Sequence, residues 1–200
     1  HLSVMQSESE NFRNSGQTEH ADTIEKLGQD MHAIIDHQLR LSRLKTRTSA
    51  DFLSSPLRSS VLKVVNALER TPQGNALDWQ VDIDASINVD IDSSDLIELL
   101  GILLENAANW SNSEVKIFAE ANDKTITLNV VDNGPGLTSA QTAQLGKRGV
   151  RLDQQGTGTG IGLSIANEIV AMNHGKISFH SEKGAGLHVK VTLPISSVQI

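Results

Sequence analysis

Asn106 stands beside Glu105 and behind Leu103 and Leu104, in a stretch patterned as a helix. An amide oxygen is a hard, neutral ligand, suited to a magnesium ion whose other oxygens come from phosphates. Asp132 follows an alternating strand and opens the run Asp132-Asn133-Gly134-Pro135-Gly136-Leu137. A carboxylate at a strand end can accept a hydrogen bond from the exocyclic amine of adenine, and Gly134 and Gly136 let backbone approach a base closely. A third run is Gly156-Thr157-Gly158-Thr159-Gly160-Ile161-Gly162-Leu163. Backbone without side chains can wrap phosphates, and the start of a following helix favours negative charge. Taken singly, each run has a plainer explanation. Asn106 and Glu105 suit the polar face of a helix, Asp-Asn-Gly is a strong turn signal, and the glycines suit a linker. The order and spacing favour a joint reading: 26 positions separate Asn106 from Asp132, and another 26 separate Asp132 from Gly158. The third run is not a GxxxxGK[ST] loop, since no lysine follows its last glycine. Nor is it a dinucleotide fingerprint, since no strand runs directly into it.

Elements must hold these runs in place. Ile24, Leu27, Met31, Ile34, Gln38 and Leu41 recur at steps of three and four, a heptad seam widened by Ile35, Leu39 and Leu44. A helix with that face needs an antiparallel neighbour or a second chain to bury it. Leu2, Val4, Met5 and Phe12 offer a short neighbour that stops near Gly16. Residues 48–55 read as a polar linker. Pro56 then suits the first turn of a helix capped by Ser54 or Ser55, which carries Leu57, Val61, Val64, Val65 and Leu68 and ends near Thr71, before Pro72. Strands are expected at 79–83 and 87–91, and a helix at about 95–110 with its cap at 92–94. Further strands are expected at 115–118 and 126–130, with polar, irregular chain at 138–155. The third run opens a helix through Met172 that stops at His174-Gly175. A hairpin of 177–180 and 187–193 around Lys183-Gly184 closes the chain. Mixed helices and strands, with antiparallel neighbours at the end, predict an α+β layer of helices on one face of a sheet.

Composition narrows the function classes. A hydrophobic fraction of 38% supports a core, and 3% aromatics leave it to Leu, Ile and Val. A net charge of -7 with no basic run argues against nucleic acid or an anionic membrane surface as partner. Without cysteine there is no disulfide, thiol catalysis or cysteine-held metal. No run of 18 apolar residues and no signal peptide is visible, so this stretch is expected to be soluble, without direct membrane contact. Opening at His1 without an initiator methionine, it reads as a piece of a longer protein.

Together the three runs resemble the N, G1 and G2 boxes of the ATP-binding domain shared by sensor histidine kinases, Hsp90, MutL and type II topoisomerases. The chain as a whole resembles the kinase core of a sensor histidine kinase. The resemblance implies a Bergerat-type two-layer sandwich, a mixed sheet with helices on one face, over residues 56–200. It implies a truncated helical hairpin over 1–47 that builds a dimeric four-helix bundle, joined by the linker 48–55. ATP and Mg2+ become the expected cofactors, with Asn106 on the metal and Glu105 orienting the attacking group or accepting a proton. Asp132, Gly134 and Gly136 would meet adenine, with Asn109 and Trp110 lining the nucleotide. Gly156, Gly158, Gly160, Ile161, Gly162 and Leu163 would cradle phosphates. The stretch 148–153 is similar to the lid of PhoQ-type kinases, which would bring Arg151 and Arg148 to phosphate. The implied activity is transfer of the γ-phosphoryl group to a histidine and then to an aspartate on a response regulator. The implied location of the full-length protein is the cytoplasmic face of the inner membrane.

Three departures stand against the family pattern. No histidine in the chain has the acidic neighbour and basic-Thr-Pro-Leu run of the phosphoacceptor motif, so this piece is not expected to phosphorylate itself. Ile102 stands where a second amide is common, and Asn109 where a Lys or Arg is common. A non-catalytic nucleotide-binding dimerisation scaffold is therefore the alternative. An ATPase clamp of the Hsp90 kind is a third class, disfavoured by the seam from Ile24 to Leu41.

Overall fold

The computed structural model describes residues 54–146 and 162–195. The expected hairpin and most of the linker lie outside them. Ser55–Pro56 form β1, and α1 runs Leu57–Leu68. Pro56 sits at the cap position with extended backbone, one residue before the first turn in which the sequence placed it, and no side chain caps the helix. Leu57, Val61, Val64 and Val65 fall on the buried side of α1. The helix ends at Leu68, and Pro72 opens a new short helix, α2, Pro72–Asn75. Proline is disfavoured inside a helix but suited to its first position. The Thr71 side chain accepts from the Gly74 N–H at 3.1 Å and caps α2.

Strand β2 runs Asp78–Asp82. The expected strand at 87–91 shrinks to β3, Asn88–Val89, which pairs antiparallel with β1 apart from the main sheet. Helix α3, Ser93–Trp110, begins where the Asp92 carboxylate accepts from the Ser94 N–H at 2.8 Å. Strands β4, Glu114–Ala121, and β5, Thr125–Asp132, follow. The stretch read as irregular contains one helical turn, α4, Ser139–Thr142, set by a capping box between Thr138 and Gln141. Helix α5, Gly162–Met172, precedes β6, Lys176–Ser181, and β7, Leu187–Pro194.

The main sheet has the order β2-β4-β5-β7-β6, with β2 parallel to β4 and every other pair antiparallel. The fold is therefore mixed α+β. Strand periodicity builds the core, since alternate residues share a face. Ile117 pairs with Val130, Val130 with Val189 and Val189 with Phe179 in one row; Ile126 pairs with Leu193 in another. Leu99, Leu100, Leu103 and Leu104 of α3, with Ala166, Ile169 and Val170 of α5 and Leu57 and Val61 of α1, join these strand residues in one core. The opposite sheet face carries Lys116, Phe118, Asn129, His180, His188 and Lys190. There the His188 ring meets the Asn129 Oδ1 at 2.9 Å.

Candidate functional site

Helix α3 delivers the first group. Leu103, Leu104, Ala107 and Ala108 pin its buried side. The helical period then leaves Glu105, Asn109 and Trp110 exposed and Asn106 half-buried at the margin. Ile102, Asn106 and Trp110 follow at steps of four, so they form one row along the helix. At one end of that row, a Cβ on Gly162 would lie 3.3 Å from the Ile102 Cγ2. The residue standing where the family commonly has an amide thus packs against the first residue of α5. At the other end, a Cβ on Gly134 would lie 2.2 Å from the Trp110 carbonyl oxygen. Asn106 sits between these two contacts.

Strand β5 delivers the second group. Its buried residues Ile126, Leu128 and Val130 are followed two positions on by Asp132, a carboxylate only 5% exposed. One oxygen, Oδ1, accepts from the Gly134 N–H at 2.9 Å and from the Leu187 N–H at 3.1 Å. Burial raises the Asp132 pKa above the ordinary carboxylate value, and the two N–H groups oppose that rise. Both bonds fall on Oδ1, so the turn is held without Oδ2, which suits an incoming donor.

The turn after Asp132 is packed on two sides by backbone. A Cβ on Gly136 would lie 2.0 Å from the Glu182 carbonyl oxygen, and one on Gly186 would lie 1.9 Å from that of Asp132. Both glycines have positive φ, 65° and 76°, where a side chain is strained. Gly184 donates its N–H to the Pro135 carbonyl at 2.6 Å. The Ser181 hydroxyl accepts from the Leu137 N–H at 2.8 Å and donates to the Gly186 carbonyl. The glycines singled out for approach to a base therefore also serve close approach of protein backbone.

Gly162 and Leu163 are half-buried at the start of α5, with Leu163 packed against the core. Arg148, Arg151, Gly156, Gly158, Gly160 and Ile161 lie outside the described residues. Sequence reasoning passed over Asn133, Ser181, Gly184 and Gly186 as site residues. Two glycines one residue apart just before a strand were the available signal, and they read only as a hairpin.

Among the described residues no three His, Asp or Glu side chains gather closely enough to hold a metal. The Asn106 side chain, half-buried on α3, offers a neutral amide oxygen of the kind magnesium accepts.

Comparisons with known proteins bear on this geometry. Residues 91–197 match the family described as histidine kinase-, DNA gyrase B-, and HSP90-like ATPase. The sensor protein kinase CarS of Pseudomonas aeruginosa is 40% identical over 104 residues, 52% of this chain and 23% of that protein. The two-component sensor PhoQ of the same organism is 34% identical over 121 residues, 60% of this chain and 27% of that protein. The matched segment thus spans about a quarter of the length of these relatives. A solved mycobacterial sensor histidine kinase, MprB, superposes with a TM-score of 0.65 at 21% identity, covering 70% of this chain and 97% of that one. At that identity the likeness speaks to the fold.

Proposed function

The chain belongs to the histidine kinase-, DNA gyrase B-, and HSP90-like ATPase family, and from that premise we propose that it is the ATP-binding catalytic core of a sensor histidine kinase. Membership of an ATPase family implies ATP as ligand. The observation that carries the finer reading is Asp132. It is buried at the end of β5 with Oδ1 committed to two backbone N–H groups. In this reading Oδ2 accepts from the adenine amine, and the rigid turn on either side fixes where the base lies. Asn106 gives its amide oxygen to magnesium, which neutralises phosphate charge when bound. Glu105, exposed one residue before it, orients the attacking group. Gly162 and Leu163 open a helix whose N-terminus favours phosphate, joined by Gly156, Gly158, Gly160 and Ile161, with Arg148 and Arg151 adding positive charge. Asn109 and Trp110 line the edge of the nucleotide.

The γ-phosphoryl group passes to an imidazole nitrogen as ADP leaves, then to an aspartate of a response-regulator receiver domain. Positioning and charge neutralisation supply most of the acceleration. The acceptor histidine belongs to the remainder of the hairpin whose end is residues 1–47, through which the protein forms a homodimer. Among the described residues no helix is long and apolar enough to cross a membrane.

Calorimetry with ATP and magnesium, set against GTP and Asp132→Ala, tests the site. The expected result is saturable ATP binding, lost in Asp132→Ala and absent for GTP. Binding indifferent to Asp132 overturns the reading. The scaffold alternative draws on Ile102, which packs at Gly162 where an amide is common. Phosphoryl transfer to a separate hairpin bearing the acceptor histidine separates the two: transfer supports the kinase, and ATP binding without transfer supports the scaffold.

A further inference from the structure

Between Asp132 and Gly134 lies an exposed side chain, that of Asn133. The Asn133 Oδ1 accepts three successive backbone N–H groups, those of Asn112 at 3.1 Å, Ser113 at 3.0 Å and Glu114 at 3.1 Å. Its Nδ2 donates to the Ser113 hydroxyl at 2.9 Å, and the Asn112 side-chain amide donates to the Asn133 carbonyl at 2.6 Å. Residues 111–113 are the link between the end of α3 and the start of β4. Successive N–H groups converging on one point form a concave nest that attracts an acceptor oxygen, and here the nest is filled by the neighbour of Asp132. The same link reaches β2, where the Asp78 N–H donates to the Ser113 carbonyl at 2.8 Å.

The consequence is positional. The Asp132 turn is pressed on the Trp110 carbonyl through Gly134, and Asn133 is the polar tie that holds the turn there. A different rotation of the turn about the end of β5 would move the Asp132 carboxylate relative to the helix that carries Asn106. We propose that Asn133 is a positioning residue: it locks the turn holding Asp132 to the C-terminal end of α3 and so sets how well the site recognises adenine, without touching the nucleotide. The inference rests on the ATP-site reading above. Because Asn133 and Asn112 are exposed, water can satisfy the three N–H groups when the carboxamide is removed. Loss of the tie therefore acts on alignment more than on folding.

The test is calorimetry on the full chain with two probes in the presence of magnesium, ATP and inorganic tripolyphosphate, alongside thermal melts. Asn133→Ala should melt cooperatively, weaken ATP binding by about tenfold and leave tripolyphosphate binding within about twofold of the unaltered protein. Asn133→Asp offers a carboxylate oxygen to the same three N–H groups, and the Ser113 hydroxyl can turn to donate to it. It should restore ATP affinity to within about threefold. Three results overturn the proposal: unchanged ATP affinity in Asn133→Ala, equal loss of both probes, or no recovery in Asn133→Asp. Failure of the unaltered chain to bind ATP, or ATP binding that ignores Asp132→Ala, is a different outcome. It removes the ATP-site reading, and this inference falls with it.

Discussion

At the scale of the residue, Asp132 shows what a strand end can do with a charge. Its folded pKa is raised by burial, so over the acid range the native state holds a proton that the unfolded chain gives up. The sign follows: stability falls as pH rises from the unfolded pKa through the folded one, and the cost is complete above the folded pKa. Asp132→Asn keeps an oxygen for the Gly134 and Leu187 N–H groups and never ionises. Its stability relative to the native chain should therefore improve as pH rises through the acid range. Its amide nitrogen, placed at Oδ2, would present a donor to the adenine amine, so ATP binding should fall by at least about tenfold. Melting curves between pH 3 and pH 7 check the first part and calorimetry the second. A melting difference between variant and native chain that stays constant from pH 3 to pH 7 contradicts the account. Asp132 was legible in the sequence because strand alternation runs straight into it. Its partner Leu187, 55 positions away, was not, because a backbone N–H carries no sequence signature.

At the scale of the element, strands and helices were read well where one face is buried, and poorly where local turn chemistry decides. Helix α3 was expected at about 95–110 and runs Ser93–Trp110, since its apolar stripe and Asp92 cap agree. The residues 87–91 alternate, yet only Asn88–Val89 form ladder pairs, with the two-residue β1; the backbone on either side bonds elsewhere, Ile87 accepting from the Leu57 N–H and Asp90 donating to the Pro194 carbonyl. Helix α4 was read as irregular although Thr138 and Gln141 spell a capping box. Strand β7 yields a pH prediction of the opposite sign to that of Asp132. On its polar face, burial first, then Lys190 and His180, hold His188 below the ordinary imidazole pKa, with Glu120 pulling the other way. The unfolded chain then takes up a proton near the ordinary value before the native state does. Stability from this group is present above about pH 6.5 and is lost as pH falls toward the native pKa. His188→Gln should flatten the fall in melting temperature between pH 7 and pH 5, and an unchanged slope would show that this group is not its source.

At the scale of the whole molecule, the core of the described residues, from Leu57 to Leu193, is a single cluster. A chain beginning at residue 54 should therefore melt cooperatively and bind ATP as the longer chain does. Light scattering should find the shorter chain monomeric and the longer one dimeric if the seam is the dimer contact, and equal masses would remove that role. By itself the sequence determined the α+β class, the order of the three glycine- and asparagine-marked runs, and the periodic faces that bury the core. Those depend on spacing along the chain, where helix and strand periods are written directly. Only the tertiary structure decided that Ile102, Asn106 and Trp110 bridge the start of α5 and the Asp132 turn, and that Asn133 fills the nest at 112–114. It alone set the 182–186 hairpin against Gly136. Such contacts join backbone groups far apart in sequence, and their energy depends on angstrom-scale approach that residue type alone does not encode.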